Sequence, residues 1–263
     1  MPEAATLRGV RVLVTRPVHQ AEALAALIES AGGEAVCLPT VEIVPPADPA
    51  ALNAVLDRLH EFGFAIFISP NAVLQAVPLL RACGGVPKTL QLAAVGQGTR
   101  RALQAAGFPE VLAPEECFDS ESLLELLPHA LVAGKNILIF RGEGGRALLG
   151  ESLTARGAQV HYAECYRRIP PRQPDAAVLA RLRQGEIDML TITGLAGLRH
   201  LYGLVGESGR ARLLATPLVA VSERQAQAAR ELGFNAELRI ATQASDAAIL
   251  TELLAWQTAR KRG

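Results

Sequence analysis

No run of about 18 uninterrupted apolar residues occurs anywhere in the 263-residue chain, so no stretch is long enough to cross a bilayer as a helix. Met1 to Arg8 lacks the basic-then-apolar build of a secretory signal, and a cytoplasmic protein is expected. A C-x-x-C pair is also missing. The four cysteines, Cys37, Cys83, Cys117 and Cys165, are scattered, with no histidine at metal-ligand spacing, and are expected to be reduced, buried or half-buried thiols rather than metal ligands. Net charge is absent too, because 26 Lys and Arg balance 26 Asp and Glu. That balance excludes the bulk positive field of a nucleic-acid or membrane surface, so an acidic ligand would need local recognition. His19, His60, His129, His161 and His200 form no H-E-x-x-H or nucleophile pattern, and no pair of acids is spaced for acid–base work. An enzyme built this way relies on positioning.

Half of the residues are hydrophobic, which is enough for one large or two ordinary cores. Short apolar runs alternate with helical patterns: Val10 to Val14, Phe64 to Ile68, Leu92 to Val95, Ile137 to Phe140, Ile187 to Thr193 and Leu218 to Val221 are strands, and each is followed by a helix. This alternation predicts an α/β fold with parallel sheets flanked by helices. Two longer extended segments, Glu34 to Val44 and Gln159 to Arg168, interrupt it; the first carries Pro39 and ends at Pro45-Pro46, which suits a connector better than a central strand.

The chain is also a duplication. Val14-Thr15-Arg16 answers to Ile139-Phe140-Arg141 and Gly32 to Gly157, each 125 residues later. Leu92, Ala94, Val95, Ala102, Gly107 and Phe108 recur 126 residues on, and Ile68-Ser69 answers to Ile192-Thr193 at 124. A repeat this long means two domain-sized copies. Because the two extended segments occupy equivalent places, we expect them to pair as a two-stranded linker, with the first strand–helix unit swapped into the C-terminal domain. The expected boundaries are 1–38 with 168–263 for domain 1, 45–160 for domain 2, and linker strands 39–44 and 161–167. Such a layout leaves a cleft facing the carboxyl ends of the strands, where ligands of open α/β sheets bind.

Hydroxyls, glycines and arginines recur at those strand ends: Thr15-Arg16, Ser69-Pro70-Asn71, Gly96 with Thr99, Arg141-Gly142, Thr193 and Ser222. As a set they fit a polyanion held largely by backbone N–H groups. Each also has a structural reading, since Ser and Thr cap helices and Arg16 or Arg141 can close an ion pair. Gly142-x-Gly144-x-x-Ala147, with Glu164 farther on, matches a dinucleotide fingerprint and keeps a dinucleotide-dependent oxidoreductase open. Against it, the equivalent turn Arg16-Pro17-Val18-His19 has no glycine. A cytosolic two-domain anion-binding sensor is a third reading.

Val12 to Pro17, Ile68 to Val73, Ala94-Val95-Gly96-x-x-Thr99, Ser120-Glu121-x-Leu123-Leu124, Ile139 to Arg146, Glu164-x-Tyr166-Arg167-Arg168 and Val221-Ser222-Glu223 together resemble the uroporphyrinogen-III synthase family, over essentially the whole chain. The resemblance implies a cofactor-free lyase that closes hydroxymethylbilane, a linear tetrapyrrole polycarboxylate, into uroporphyrinogen III with inversion of ring D and loss of water. It implies a monomer acting on a small molecule, without nucleic-acid or membrane partners. Tyr166 matches the family's cleft tyrosine, whose implied role is to assist departure of the terminal hydroxyl; by its residues alone Tyr166 can equally pack on the connector with its hydroxyl in water. The chain departs from the common pattern at Thr193-Gly194, where many members have Thr-Ser, and at Glu223-Arg224-Gln225.

Overall fold

A computed structural model of the chain describes residues 6–115, 120–145 and 147–261. Cys117 and Arg146, both named above, lie outside the described residues. The chain begins with β1 (Arg11–Val14), α1 (Val18–Ser30) and β2 (Glu34–Cys37). It continues through β3 (Glu42–Val44), α2 (Pro49–Leu56), β4 (Phe64–Phe67), α3 (Pro70–Ala82), β5 (Gln91–Ala94) and α4 (Gln97–Ala105). Next come the short helices α5 (Ser120–Glu125) and α6 (His129–Val132), then β6 (Asn136–Gly142), α7 (Leu148–Ala155) and the long β7 (Gln159–Ile169). The remainder alternates again: α8 (Ala176–Gln184), β8 (Met189–Ile192), α9 (Leu195–Leu214), β9 (Leu218–Ala220), α10 (Glu223–Glu231), β10 (Leu238–Ile240) and α11 (Asp246–Arg260).

The chain divides into two compact units, Met1–Glu42 with Ile169–Gly263, and Ile43–Arg168. The discontinuous unit holds a sheet of order β10-β9-β8-β1-β2, and the continuous one a sheet of order β3-β7-β6-β4-β5. β1 lies in parallel register with both β2 and β8, and β6 with both β4 and β7. The two orders correspond: β7-β6-β4-β5 matches β2-β1-β8-β9, the strands that the 125-residue repeat relates. Even the fifth place is echoed, since Leu112 bridges Ala93 in parallel where β10 pairs with β9.

The strands are apolar on both faces because helices cover both, as parallel sheets require. In the continuous unit the pleat sends Ala65, Phe67, Leu138 and Phe140 into one core, and Phe64, Ile66, Ile137 and Ile139 into the other. Phe67 and Phe140 stack at 4.6 Å between centroids. In the discontinuous unit Leu13, Leu190 and Leu218 face one core, while Val12, Val14, Met189 and Val219 face the other.

Two sequence expectations need adjustment. Glu34 to Val44 is not one connector strand: Glu34–Cys37 pairs beside β1, and the segment turns before Glu42–Val44 adds to the other sheet. Gln159 to Tyr166 is paired along β6, from Asn136↔Gln159 to Gly142↔Tyr166, so most of the expected linker strand 161–167 is built into a sheet. Pro39 shows the reason in the first case, since it breaks the ladder between the two short strands. In the second, eleven residues without Pro or Gly can pair throughout. Two of the cysteines, Cys37 and Cys83, are exposed rather than buried or half-buried.

Candidate active site

At the carboxyl edge of the continuous unit's sheet, neighbouring strands end at Ser69, Gly96 and Gly142, with Tyr166 opposite Gly142 in register. Ser69 leaves β4 in extended backbone and caps α3, its Oγ accepting from the N–H of Ala72 at 3.1 Å, while Pro70 takes the first helical turn. Asn71 is buried in that turn, and Pro70 lies against Gly98 of the next helix start. Gly96 caps α4 without a side chain, leaving its N-terminal N–H groups uncapped, and Thr99 is buried one turn inside.

Tyr166 is completely buried, and its neighbours define it on every side. A Cβ on Gly142 would stand 2.7 Å from its ring atoms Cε2 and Cζ, so only glycine allows the phenol to lie there. Its hydroxyl is 3.0 Å from the Ser69 Oγ and accepts from the guanidinium of Arg168. The same guanidinium lies over the ring, 4.8 Å from the centroid. Cys165, next along β7, lies in the same core, at a shift of register between β6 and β7, and burial pushes its thiol up to about 12.

Arg141 sits beside Glu164 in register and pairs with it at 3.1 Å, and its guanidinium also covers the Tyr162 ring at 4.3 Å. Its counterpart in the repeat, Arg16, pairs with Asp246, the first residue of α11. Both repeat-related arginines therefore hold structural ion pairs. In the glycine-rich turn Gly142 backs Tyr166, Gly144 supplies a positive φ of 68° with open space beside it, and α7 begins only at Leu148. In the dinucleotide fingerprint the first glycine makes the tight turn and a helix starts at once, whereas here Gly142 is still paired within β6 and α7 starts only at Leu148, so the match is to the spacing and not to the strand–turn–helix geometry. Gly142 thus makes room for the Tyr166 ring.

In the discontinuous unit, Thr15 is buried and bonded to the neighbouring strand. Its Oγ1 donates to the Thr191 carbonyl at 2.7 Å while Thr191 Oγ1 donates to the Leu13 carbonyl at 3.0 Å, a reciprocal tie between β1 and β8. Thr40 closes over the Thr15 carbonyl at 3.1 Å. Thr15 is an edge tie with no outward hydroxyl. Thr193 and Gly194 end β8 partly exposed, and Ser222 ends β9 as the cap of α10, accepting from the Gln225 N–H. Sequence reasoning missed Arg168 and Asp246. Arg168 stood inside a quoted motif but follows Tyr166 by two, a same-face spacing on a strand that could have flagged it. Asp246 had no such signal, because it meets Arg16 across 230 residues.

Among the described residues no helix is long and apolar enough to cross a membrane. The family model described as uroporphyrinogen-III synthase HemD matches residues 22–250. The chain is 34% identical to the uroporphyrinogen-III synthase of Escherichia coli over 92% of its own length and 99% of that protein's, and 35% identical to that of Salmonella typhimurium over the same shares. Its fold is similar to solved uroporphyrinogen III synthases from Thermus thermophilus, in a mutant form (TM-score 0.60, 20% identity, 97% of this chain and 100% of that one), and from Helicobacter pylori (TM-score 0.61, 16% identity, 94% and 99%). With residues 22–250 matched by the family model and 92% of its length shared with these relatives, the chain belongs to the uroporphyrinogen-III synthase family.

Proposed function

We propose that this chain closes hydroxymethylbilane into uroporphyrinogen III, inverting ring D and releasing water, with Tyr166 as the donor to the leaving oxygen. Identity of 34% over 92% of the chain carries the reaction, and the clamped position of Tyr166 beside the end of β6 supports its role. In this reading the hydroxymethyl C–O bond breaks as the pyrrole nitrogen lone pair moves in, and the oxygen leaves as water with the phenol proton. The freed methylene then bonds to ring D at its substituted α-carbon to give a spiro centre. That carbon's bond to the neighbouring bridge breaks, the bridge bonds instead to ring D's free α-carbon, and the proton lost from that free α-carbon restores the phenol. Nothing else is consumed.

Substrate carboxylates are met by backbone N–H groups and hydroxyls at the carboxyl edge of each sheet: Ser69, Asn71 and Gly96 in the continuous unit, where Pro70 only shapes the turn, and Thr193 and Ser222 in the other. The uncapped start of α4 supports this, since partial positive charge there favours anions without net charge on the protein. Thr99, Arg16 and Arg141 support those edges from behind. The strand orders favour two related domains with the first strand–helix unit swapped, and the β3–β7 pairing favours a two-stranded linker. One chain supplies every residue of this reading, consistent with a monomer, and the free thiols Cys37 and Cys83 suit a reducing cytoplasm. The purified protein mixed with freshly generated hydroxymethylbilane is expected to yield the type III isomer over type I. An isomer ratio equal to that of the unassisted cyclisation would overturn the assignment.

A further inference from the structure

Resting on that reading of Tyr166, the geometry points to Arg168 as a positioning residue that covers the phenol and is drawn off it by a carboxylate of the substrate. Tyr166 has no exposed surface, so its hydroxyl can reach a leaving oxygen only if a neighbour moves. Its ring packs in the core, and three neighbours meet its phenol end. Gly142 is backbone in a paired strand, and Ser69 is held by its cap to Ala72. Arg168 is the third, an exposed side chain on a long flexible stem, donating to the hydroxyl and lying over the ring. It is the neighbour able to leave.

What would draw it away follows from its own chemistry. A guanidinium has donors only and matches a carboxylate with two parallel hydrogen bonds, roughly twice as strong as bonds between neutral groups. Here it meets a neutral phenol and a ring face, and no carboxylate among the described residues pairs with it. Arg16, Arg141, Arg181 and Arg239 all have such partners. A substrate rich in carboxylates offers Arg168 the partner it lacks. When it swings, the hydroxyl keeps Ser69 as its remaining neighbour and turns its proton outward. The cover ties exposure of the donor to the arrival of an acidic substrate.

The test uses variants of the whole chain and two measurements. Tetranitromethane nitration, mapped by peptide mass spectrometry without substrate, is expected to spare Tyr166 in the wild type. In Arg168→Ser it should modify Tyr166 at least 10-fold faster, with Tyr162 and Tyr202 as unchanged internal controls. Steady-state kinetics with hydroxymethylbilane should show KM raised about 10-fold in Arg168→Gln, partial recovery in Arg168→Lys, and kcat within about 3-fold of wild type in both. An anchor for Tyr166 that served only structure would lower kcat and leave KM alone. Unchanged nitration in Arg168→Ser, or unchanged KM in Arg168→Gln, overturns the inference. If wild type makes the type III isomer and Tyr166→Phe is impaired while either of these holds, Arg168 alone is misassigned; if wild type makes no type III isomer, the functional reading fails first.

Discussion

At the scale of single residues, Tyr166 is fixed from three directions, and each contact predicts a different loss. Removing its hydroxyl as Tyr166→Phe leaves the ring against Gly142 but takes the donor from the leaving oxygen. We expect a graded fall in kcat of about 10-fold, below the ~10²–10⁴ usual for a general acid, because the bilane also cyclises unaided. An unaltered rate in the isomer assay would remove Tyr166 from the chemistry. Gly142→Ala instead forces a methyl into the ring at 2.7 Å, with an expected stability loss of about 1–3 kcal/mol in urea unfolding and a displaced phenol. Cys165 supplies a pH test. Its thiol is raised from the ordinary 9.0 to about 12 by burial. A raised value stabilises the fold fully below the unfolded value and is lost as pH climbs from 9.0 toward about 12, because the unfolded chain ionises first. By pH 11 this amounts to about 3 kcal/mol at about 1.4 kcal/mol per unit, so Cys165→Ala is expected to lose that much less stability than wild type between pH 7 and pH 11. Equal losses in urea melts at the two pH values would contradict the burial argument.

At the scale of elements, the helices begin and end where local chemistry says they should. Ser69, Asp48, Asp175, Ser222 and Ser245 each accept from the first-turn N–H groups of the helix they precede. Ser69→Ala removes the cap of α3 and one of the two hydrogen bonds on Tyr166, so a loss of about 1 kcal/mol is expected, read as a lowered urea midpoint. Gly107 and Gly233, 126 residues apart in the repeat, close α4 and α10 with φ of 93° and 95°. A methyl on Gly107 touches nothing, so Gly107→Ala reports backbone strain alone, about 1–2 kcal/mol. Both the capping serines and these glycines were legible beforehand, since caps and left-handed glycines act within a few residues of sequence. The extended segments were not, because whether a strand pairs, and on which edge, depends on partners more than twenty residues away.

At the scale of the molecule, the continuous unit is the simpler to isolate. Ile43–Arg168 carries its own sheet and two cores from one uninterrupted stretch, and is expected to unfold cooperatively as a separately expressed fragment. The stretch 1–42, whose β1 depends on β8 from the other end of the chain, should not fold alone. Circular dichroism melts of the two fragments decide it; a molten or aggregated 43–168 fragment would count against autonomy.

The sequence alone determined the alternation of strands and helices, the duplication, the caps and the family, because these are written in neighbouring residues or in order along the chain. Tertiary structure decided which polar groups face a ligand. Thr15 and Arg16 look like Ser69 and Arg168 in the text of the sequence: a hydroxyl and an arginine by a strand end. Only packing shows that Thr15 ties β1 to β8, that Arg16 is taken by Asp246, and that Arg168 rests on the phenol of Tyr166. The physical reason is that a hydrogen bond or ion pair is set by separation in space, and residues 176 or 230 positions apart meet only once the sheet has formed.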